Sequence, residues 1–260
     1  MHTHFISHNQ SAWDEQARAQ KEWSTPVSTE QVEQAKLGNW DVHLTPKPVD
    51  KNWFGDIKGK KILCLASAGG QQAPILAAAG AVVTVFDFSL EQLNKDLFVA
   101  NRDNISLVAV QGDMRDLSCF EDESFDLVFH PISNHYISEV NLVWSEAYRV
   151  LKKGGALLSS FFNPIVFIAG RDTTDFELNI IRPKYKLPYS DLEDLDEAEL
   201  KAKMDRNEAL VFGHTLTELI GGQTKAGFVI ADFTEEYQPV PRFLIDKYLP
   251  TFIATRAIKL

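Results

Sequence analysis

Short runs of apolar residues alternate with amphipathic segments along the chain from residue 60 onward. KKILCLA and AVVTVFD are nearly continuous apolar runs, which is typical of strands buried on both faces of a parallel sheet. ISLVAVQ, FDLVFHP and ALLSSFF have the same character, and FVIADFTEEY and FIATRAIKL add two strand candidates near the end. The pattern predicts a sheet built from these seven segments.

Helical segments separate most of these runs. The alanine-rich QQAPILAAAG ends at Gly80, and Ser89 is suited to cap a helix that continues to about Ala100. Glu139–Leu151 places its apolar side chains on one helical face, and another helix is predicted at Leu216–Lys225. Strand–helix alternation repeated this often predicts an α/β fold with a doubly wound sheet.

Two segments lack this alternation. Residues 1–55 are polar, carry Trp13, Trp23, Trp40 and Trp53, and predict helices at Ala12–Glu22 and Thr29–Lys36. We interpret them as an N-terminal cap on a main domain that spans residues 56–260. Residues 163–212 interrupt that domain after the fifth strand, as an insertion with an acidic run and one predicted helix near Glu197–Arg206.

Charge and composition narrow the partners. The net charge of -10, with no basic stripe, argues against nucleic acid, which is held by neutralising phosphates. The two cysteines, Cys64 and Cys119, suggest no disulfide framework, so we expect a reducing, cytoplasmic setting. No apolar stretch is long enough to span a membrane. His2, His4 and His8 have no cysteine or carboxylate to complete a metal site, so no metal is expected.

A turn of small residues follows the first strand. Ala66, Ser67, Ala68, Gly69 and Gly70 would let a ligand approach the backbone at the start of a helix. Asp87 ends the next strand, about where an acidic residue accepts hydrogen bonds from ribose hydroxyls in dinucleotide-binding folds. Taken alone, this segment is also compatible with a purely structural tight turn.

The order of motifs is more specific than any one of them. Gln111-Gly112-Asp113-Met114 follows the third strand, and R-V-L-K-K-G-G at Arg149–Gly155 leads into the fifth. Together with the glycine turn, this series resembles class I S-adenosylmethionine-dependent methyltransferases over about Lys60–Phe162 and in the final strand pair. The C-L-A-S-x-G-G-Q-Q turn is similar to that of a bacterial subset.

The resemblance implies a Rossmann-like sheet of seven strands with the last antiparallel. It also implies transfer of a methyl group from S-adenosyl-L-methionine to an acceptor, with release of S-adenosyl-L-homocysteine. In this alignment the turn faces the methionine part of the cofactor, Asp87 binds the ribose, and Asp113 with Met114 binds the adenine. The implied cofactor contacts are Ala66, Ser67, Ala68, Gly69, Gly70, Gln72, Asp87, Phe88, Ser89, Gly112, Asp113, Met114 and His130.

One departure from the family pattern concerns the first strand. The family usually has an acidic residue where this chain has Cys64, so one cofactor contact is unassigned. Gln71 and Gln72 are polar neighbours of the turn that could compensate.

Candidate catalytic residues lie after the fourth strand. His135 is a candidate general base, because histidine titrates near neutral pH, and His130 is a second candidate. A role in lining the pocket or stabilising the loop, without proton transfer, accounts for His135 equally well. Asn134, Tyr136 and Trp13 are expected to contact the acceptor. His130-Pro131-Ile132 replaces the N/D-P-P-Y/F motif of exocyclic amino methylation, which favours a small-molecule acceptor over nucleic acid.

Two alternatives remain open. Tyr148 and Lys152 have the Y-x-x-x-K spacing of NAD(P)-dependent short-chain reductases, although Tyr148 falls on the apolar face of its predicted helix. Because Cys64 replaces the usual acidic residue, a protein that binds S-adenosylmethionine without catalysing methyl transfer is the second alternative. For a methyltransferase, residues 1–55 and the insertion are both expected to close the acceptor pocket.

Overall fold

The computed structural model describes residues 4–170 and 173–260, and a seven-stranded sheet lies at its centre. The strands are β1 (Lys61–Leu65), β2 (Val82–Asp87), β3 (Leu107–Gln111), β4 (Phe125–His130), β5 (Leu151–Phe162), β6 (Tyr189–Ser190), β7 (Phe212–Gly213), β8 (Phe228–Glu236) and β9 (Phe252–Lys259). The helices are α1 (His4–Arg18), α2 (Thr29–Lys36), α3 (Gln72–Ala78), α4 (Leu90–Asp103), α5 (Val140–Val150), α6 (Thr173–Glu177), α7 (Asp191–Asp194), α8 (Glu197–Asp205) and α9 (Gly222–Ala226).

The strand order of the sheet is β3-β2-β1-β4-β5-β9-β8. The first five strands are parallel, and β9 pairs antiparallel with both β5 and β8. The predicted doubly wound sheet with an antiparallel last strand is confirmed. The order reverses between β1 and β4, and in such sheets ligands bind beyond the carboxyl ends of the strands at that point.

The core lies on both faces of the sheet. Ile62 and Cys64 of β1 belong to one apolar cluster, whereas Leu63 and Leu65 belong to the other. All four side chains are fully buried, because helices cover both faces. This explains why β1 appears in the sequence as a continuous apolar run and not as an alternating one.

The N-terminal segment differs from the prediction at its first helix. α1 begins at His4 and ends at Arg18, so the predicted limits Ala12–Glu22 are wrong. The early start rests on distant contacts: the ring of Phe5 lies 5.0 Å from that of Phe212. α2 spans Thr29–Lys36 as predicted.

The insertion contains short elements. α6, α7, α8 and the small β6–β7 pair fall within it, and α8 confirms the predicted helix to within one residue. The helix predicted at Leu216–Lys225 is instead a π-helical turn at Thr217–Gly221 followed by α9. Within residues 4–170 and 173–260, no helix combines the length and apolarity that crossing a bilayer requires. His2 lies outside the described residues.

Candidate functional site

A small cavity lies at the carboxyl ends of β1, β2 and β3. Its volume is about 20 Å³, close to the space of one water molecule. We call it the donor cavity. Six of its lining residues are among the predicted cofactor contacts, and β2, α1 and the segment after β4 contribute the others. The lining residues are Ala66, Asp87, Phe88, Gly112, Asp113 and Met114, together with Ile6, Phe86, Tyr136 and Ile137.

Asp87 is the buried carboxylate of this cavity. Its Oδ1 accepts a hydrogen bond from the Ser89 backbone N–H at 3.0 Å, and its Oδ2 accepts one from that of Ala68 at 3.3 Å. Burial raises the pKa of Asp87 to about 6, although these backbone donors partly oppose the shift. A carboxylate has about four acceptor positions, so Asp87 retains capacity for further donors on the cavity side.

The turn after β1 keeps the backbone shape that glycine usually provides. Ala66 has φ +47°, in the left-handed region, and its N–H donates to the Phe86 carbonyl at 2.7 Å. Backbone strain of this kind costs on the order of 1–3 kcal/mol and often occurs at binding sites. The structure therefore maintains an unfavourable conformation directly at the wall of the donor cavity.

Asp113 and Met114 lie on the opposite wall. The Asp113 carboxylate is held by Arg115, whose Nη2 is 2.7 Å from Oδ2 and whose Nε is 3.1 Å from both oxygens. Arg115 also pairs with Glu139. Gly112 is required for space, since a Cβ atom there would lie 2.2 Å from the Phe86 ring. Asp113 thus has fewer free acceptor positions than Asp87.

Gly69 and Gly70 face the N-terminal segment. A Cβ on Gly69 would lie 2.5 Å from the carbonyl oxygen of Trp23, and one on Gly70 would lie 3.0 Å from Pro26. The Val27 N–H donates to the Gly70 carbonyl at 2.8 Å. Residues 23–27 therefore cross the turn, and a Cβ on Gly70 would also lie 3.0 Å from the Lys95 carbonyl oxygen of α4. Neither glycine lines the donor cavity.

The two glutamines of the turn also hold the N-terminal segment. Gln71 donates to the carbonyls of Glu22 and Thr25 at 2.9 and 3.0 Å. Gln72 accepts a hydrogen bond from the His43 N–H at 2.8 Å. Their side chains bind the cap and not the donor cavity, so neither compensates there for the acid missing at Cys64.

Asp96 on α4 was not anticipated from the sequence. It is fully buried, and its Oδ2 accepts the Gly69 N–H at 2.9 Å, while its Oδ1 has no hydrogen-bond partner among the described residues. Burial raises its pKa to about 7. Gln92, one helical turn earlier, is also buried, and this pair of polar residues on the inward face of α4 was the available signal.

Cys64 of β1 lies close to the buried Asp96 carboxylate. Burial raises the pKa of its thiol, and the nearby Asp96 charge raises it further. The position that is acidic in the family is therefore neutral here, and the carboxylate at the turn comes from α4 instead of β1.

Ser67 and Ser89 have different environments. Ser67 is buried, and its hydroxyl has no hydrogen-bond partner within the described part of the chain. Ser89 caps α4 by accepting the Gln92 N–H, and its hydroxyl donates to Asp14 of α1 at 2.5 Å. Neither serine lines the donor cavity.

His130 ends β4 and is completely buried. Its Nδ1 lies 2.9 Å from the Leu65 carbonyl, which assigns the proton to Nδ1 and leaves Nε2 as the acceptor. Burial lowers the pKa of His130 to about 4. The ring is therefore neutral at pH 7, and it packs edge-on against Trp144 outside the cavity lining.

His135 and Tyr136 stand between the donor cavity and the rest of the carboxyl edge. Their rings lie 3.9 Å apart, and His135 also contacts Phe162 at 5.2 Å. Trp13 of α1 packs edge-on against Tyr136 at 5.2 Å. Asn134 is buried, and its amide donates to the Ser160 carbonyl at 2.9 Å, so its side chain holds the loop to β5.

The Tyr148–Lys152 pair is not arranged as a reductase site. Tyr148 packs against Phe228 with ring centres 5.1 Å apart. Lys152 pairs with Asp126 at 2.7 Å, near the amino end of β4 and away from the donor cavity. The spacing that suggested a short-chain reductase reflects helix packing and a surface ion pair.

The N-terminal tryptophans lie in different environments and do not cluster around one site. Trp53 is buried and donates to Asp232 at 2.8 Å, and Trp40 packs against Phe54 at 5.3 Å. Trp23 is 60% exposed. No cluster of three or more histidine, cysteine or acidic side chains suited to a metal occurs in residues 4–170 and 173–260.

Comparison with known proteins agrees with this geometry. The sequence profile of the methyltransferase domain family matches residues 63–159. An S-adenosylmethionine-dependent methyltransferase from Mesorhizobium loti has the same fold, with a TM-score of 0.61, 17% identity, and coverage of 80% of this chain and 95% of that one. This chain therefore shares the fold of that methyltransferase.

Sequence relatives assign the family directly. Over 255 residues the chain is 48% identical to the uncharacterized methyltransferase YbaJ of Bacillus subtilis, and the match covers 98% of both proteins. The chain therefore belongs to this methyltransferase family. It is also 34% identical to the fatty-acid O-methyltransferase of Mycolicibacterium smegmatis over 112 residues, which cover 42% of this chain and 39% of that enzyme.

Proposed function

We propose that this protein transfers the methyl group of S-adenosylmethionine to a small-molecule acceptor by in-line displacement. The observation that carries the proposal is the buried Asp87 carboxylate at the donor cavity, where the ends of three parallel strands meet. Membership of the methyltransferase family supports the use of this cofactor. The net charge of -10 and the small-molecule substrate named for the partial relative support a small acceptor.

The residues around the donor cavity fit the cofactor chemically. Asp87 retains acceptor positions for ribose hydroxyls, which are donors. Met114 and Phe88 provide apolar surface for a purine ring, and Asp113 is placed to accept from an amino group once Arg115 shifts. Asp96 holds the turn that would carry the methionine part. We propose that Ser67, with its unpartnered buried hydroxyl, also contacts that part.

The size of the cavity requires one movement. A space of about 20 Å³ holds one water, whereas small-molecule sites span about 300–1,000 Å³. Ile6 of α1 and Tyr136 of the segment after β4 contribute to the cavity wall. We propose that α1 moves outward when the cofactor binds and then covers it.

Alignment is the main contribution of the protein to catalysis. When bound, S-adenosylmethionine supplies a methyl group on a positively charged sulfur, which is already activated toward nucleophiles. Holding the acceptor in line can contribute an effective molarity of about 10⁵ M or more. Exclusion of water by α1 and the ring of Tyr136 strengthens electrostatic interactions in the site.

A base is needed when the acceptor is a hydroxyl or a protonated amine. A pKa of about 4 makes His130 a weak base at neutral pH, because general bases work best with a pKa near the operating pH. His135 stands in the wall beside Tyr136. We therefore propose His135 as the base and His130 as a residue that shapes the pocket.

The test is calorimetric binding of S-adenosylhomocysteine to the full chain and to Asp87→Ala. Hydrogen bonds to a charged acceptor contribute about 1.5–3 kcal/mol, so the variant should bind about 10- to 100-fold more weakly. Asp116→Ala, at an exposed position away from the cavity, is the matched control and should bind as tightly as the wild type.

The outcomes separate the assignments. Equal affinity of wild type and Asp87→Ala would refute the role of Asp87. No binding to the wild type would refute the function, and tight binding of NADPH in its place would restore the reductase alternative. Tight cofactor binding without turnover of any acceptor would favour a non-catalytic binding protein.

A further inference from the structure

A second, larger cavity lies beyond the carboxyl end of β5 and the amino end of β9. Its volume is about 500 Å³, within the range of small-molecule sites. The residues after β5, the insertion and the segment before β9 enclose it, and we call it the insertion cavity. Most of its wall is apolar, including Ile165, Ile168, Ile180, Ile181, Phe243 and Ile245.

Among the described residues, two cationic and two acidic side chains line this cavity. Arg182 is paired with Asp175 at 2.8 Å. Arg242 also lines the cavity, and its guanidinium makes no ion pair within the described part of the chain but lies 5.4 Å from the Phe162 ring. Lys247 stacks on Phe176, which is another wall residue, at 4.2 Å. Glu177 is the remaining acidic wall residue.

A buried carboxylate, Asp246, lies next to the cavity in the segment that carries Arg242. Asp246 is 3% exposed and accepts hydrogen bonds from the N–H groups of Arg242 and Phe243, both at 2.8 Å. Its other oxygen accepts from the Thr251 hydroxyl at 2.7 Å. Its acceptor positions are used internally, so Asp246 orders the segment that presents Arg242.

The insertion cavity is adjacent to the donor cavity. Tyr136 lines the donor cavity, His135 packs on Tyr136 at 3.9 Å, and Phe162 packs on His135 at 5.2 Å. Arg242 lies on Phe162, at the other end of this wall of three rings. A molecule held by Arg242 would therefore be near the Phe162 end of the aromatic wall, whereas the donor cavity contacts the wall at Tyr136.

We propose that the insertion cavity binds a molecule with an apolar body and a single anionic group, such as a carboxylate, with the anion held by Arg242. The apolar walls match the body, and the Arg242 guanidinium, which makes no ion pair among the described residues, matches the anion. The identification of this molecule as the methyl acceptor rests on the proposed function. The preference of the cavity for an apolar anion rests on the cavity alone.

The experiment is calorimetry of the full chain with sodium decanoate, and with decan-1-ol as an uncharged probe of equal chain length. We expect one decanoate site per chain and weaker binding of decan-1-ol. Arg242→Gln should weaken decanoate binding about 10-fold or more, since a hydrogen bond to a charged group is worth about 1.5–3 kcal/mol. Arg206→Gln is the control, because Arg206 is an exposed arginine that does not line the cavity.

A second variant tests the apolar wall. Ile165→Glu places a negative charge inside the cavity and should abolish decanoate binding, with thermal unfolding used to confirm that the variant is folded. Binding of S-adenosylhomocysteine to both variants should equal that of the wild type, because neither residue lines the donor cavity.

The results distinguish this inference from the proposed function. No decanoate binding, equal binding by Arg242→Gln, or equal affinity for decan-1-ol would overturn the inference, even if S-adenosylhomocysteine binds normally. Decanoate binding that responds to Arg242→Gln in a chain that fails to bind S-adenosylhomocysteine would support the cavity and overturn the proposed function.

Discussion

Replacing Asp96 by asparagine removes a buried titrating group with little change in shape. Asp96 is fully buried, and burial raises its pKa from 3.8 to about 7. An asparagine oxygen can still accept the Gly69 N–H that Oδ2 accepts at 2.9 Å. The variant therefore separates the charge of Asp96 from its hydrogen bond to the turn.

The magnitude follows from the shift in pKa. The folded chain binds the Asp96 proton more tightly than the unfolded chain, so this stabilisation is fully present below about pH 4 and is lost as pH rises through about 7. A shift of about three pKa units corresponds to about 4 kcal/mol in total. Between pH 5 and pH 8 this stabilisation falls by about 3 kcal/mol, because the loss occurs over the roughly two pH units from pH 5 to about pH 7.

The assay is urea unfolding of wild type and Asp96→Asn at pH 5 and pH 8. The free energy of unfolding of Asp96→Asn, relative to that of wild type, should rise by about 3 kcal/mol from pH 5 to pH 8. Asp87, whose raised pKa acts in the same direction, is present in both proteins and largely cancels. Asp116→Asn is the control: the pKa of this exposed carboxyl is lowered, so its effect should appear only in more acidic solution.

A pH-independent difference between wild type and Asp96→Asn would refute the reasoning. It would mean that the Asp96 carboxyl has the same proton affinity in the folded and unfolded chain. The burial of Asp96 would then be relieved by water or by movement of the turn, and its role as the carboxylate that replaces the first-strand acid would lose support.

Two further substitutions test the packing around the site. In Gly69→Ala the new Cβ would lie 2.5 Å from the Trp23 carbonyl oxygen at a φ of +129°, whereas in Gly59→Ala, with φ +73°, nothing lies within 4 Å of the Cβ. Gly69→Ala should therefore lower the thermal unfolding temperature more than Gly59→Ala. Equal losses would contradict the clash. Lys203→Met leaves the buried Asp191 carboxylate without its cation and should lower the free energy of unfolding in urea by about 3–5 kcal/mol. Adding Asp191→Asn should recover part of this loss. An unchanged urea midpoint for Lys203→Met would contradict the prediction.

Local patterns were sufficient to predict the sheet. The apolar runs of β1, β2 and β4 are buried on both faces, so their composition alone distinguishes them from amphipathic helices. Parallel strands place their carboxyl ends at one edge, which is why Asp87 and Asp113 meet although they are distant in sequence. Residues that end strands could therefore be placed at the donor cavity without coordinates.

The parts of the site that depend on distant contacts could not be predicted. Gly69 and Gly70 were assigned to the cofactor, but the space that a Cβ would need at these positions is taken by residues 23–27 and by the Lys95 carbonyl of α4. The local signal for Asp96 is a polar residue one turn after Gln92 on the buried face of α4, and this signal does not show what Asp96 contacts. Neither fact follows from propensity or periodicity, because each depends on which segment packs on the turn from elsewhere in the chain.

The position of α1 connects the two cavities. At one end, the Asn9 side chain exchanges hydrogen bonds with the Leu210 backbone at 2.9 and 2.7 Å and donates to the Tyr136 carbonyl at 3.1 Å. At the other end, Asp14 accepts from Ser89 beside the donor cavity. Since Tyr136 belongs to the aromatic wall, the proposed movement of α1 would also displace that wall. We therefore expect binding at one cavity to change the free energy of binding at the other, with the coupling equal in both directions.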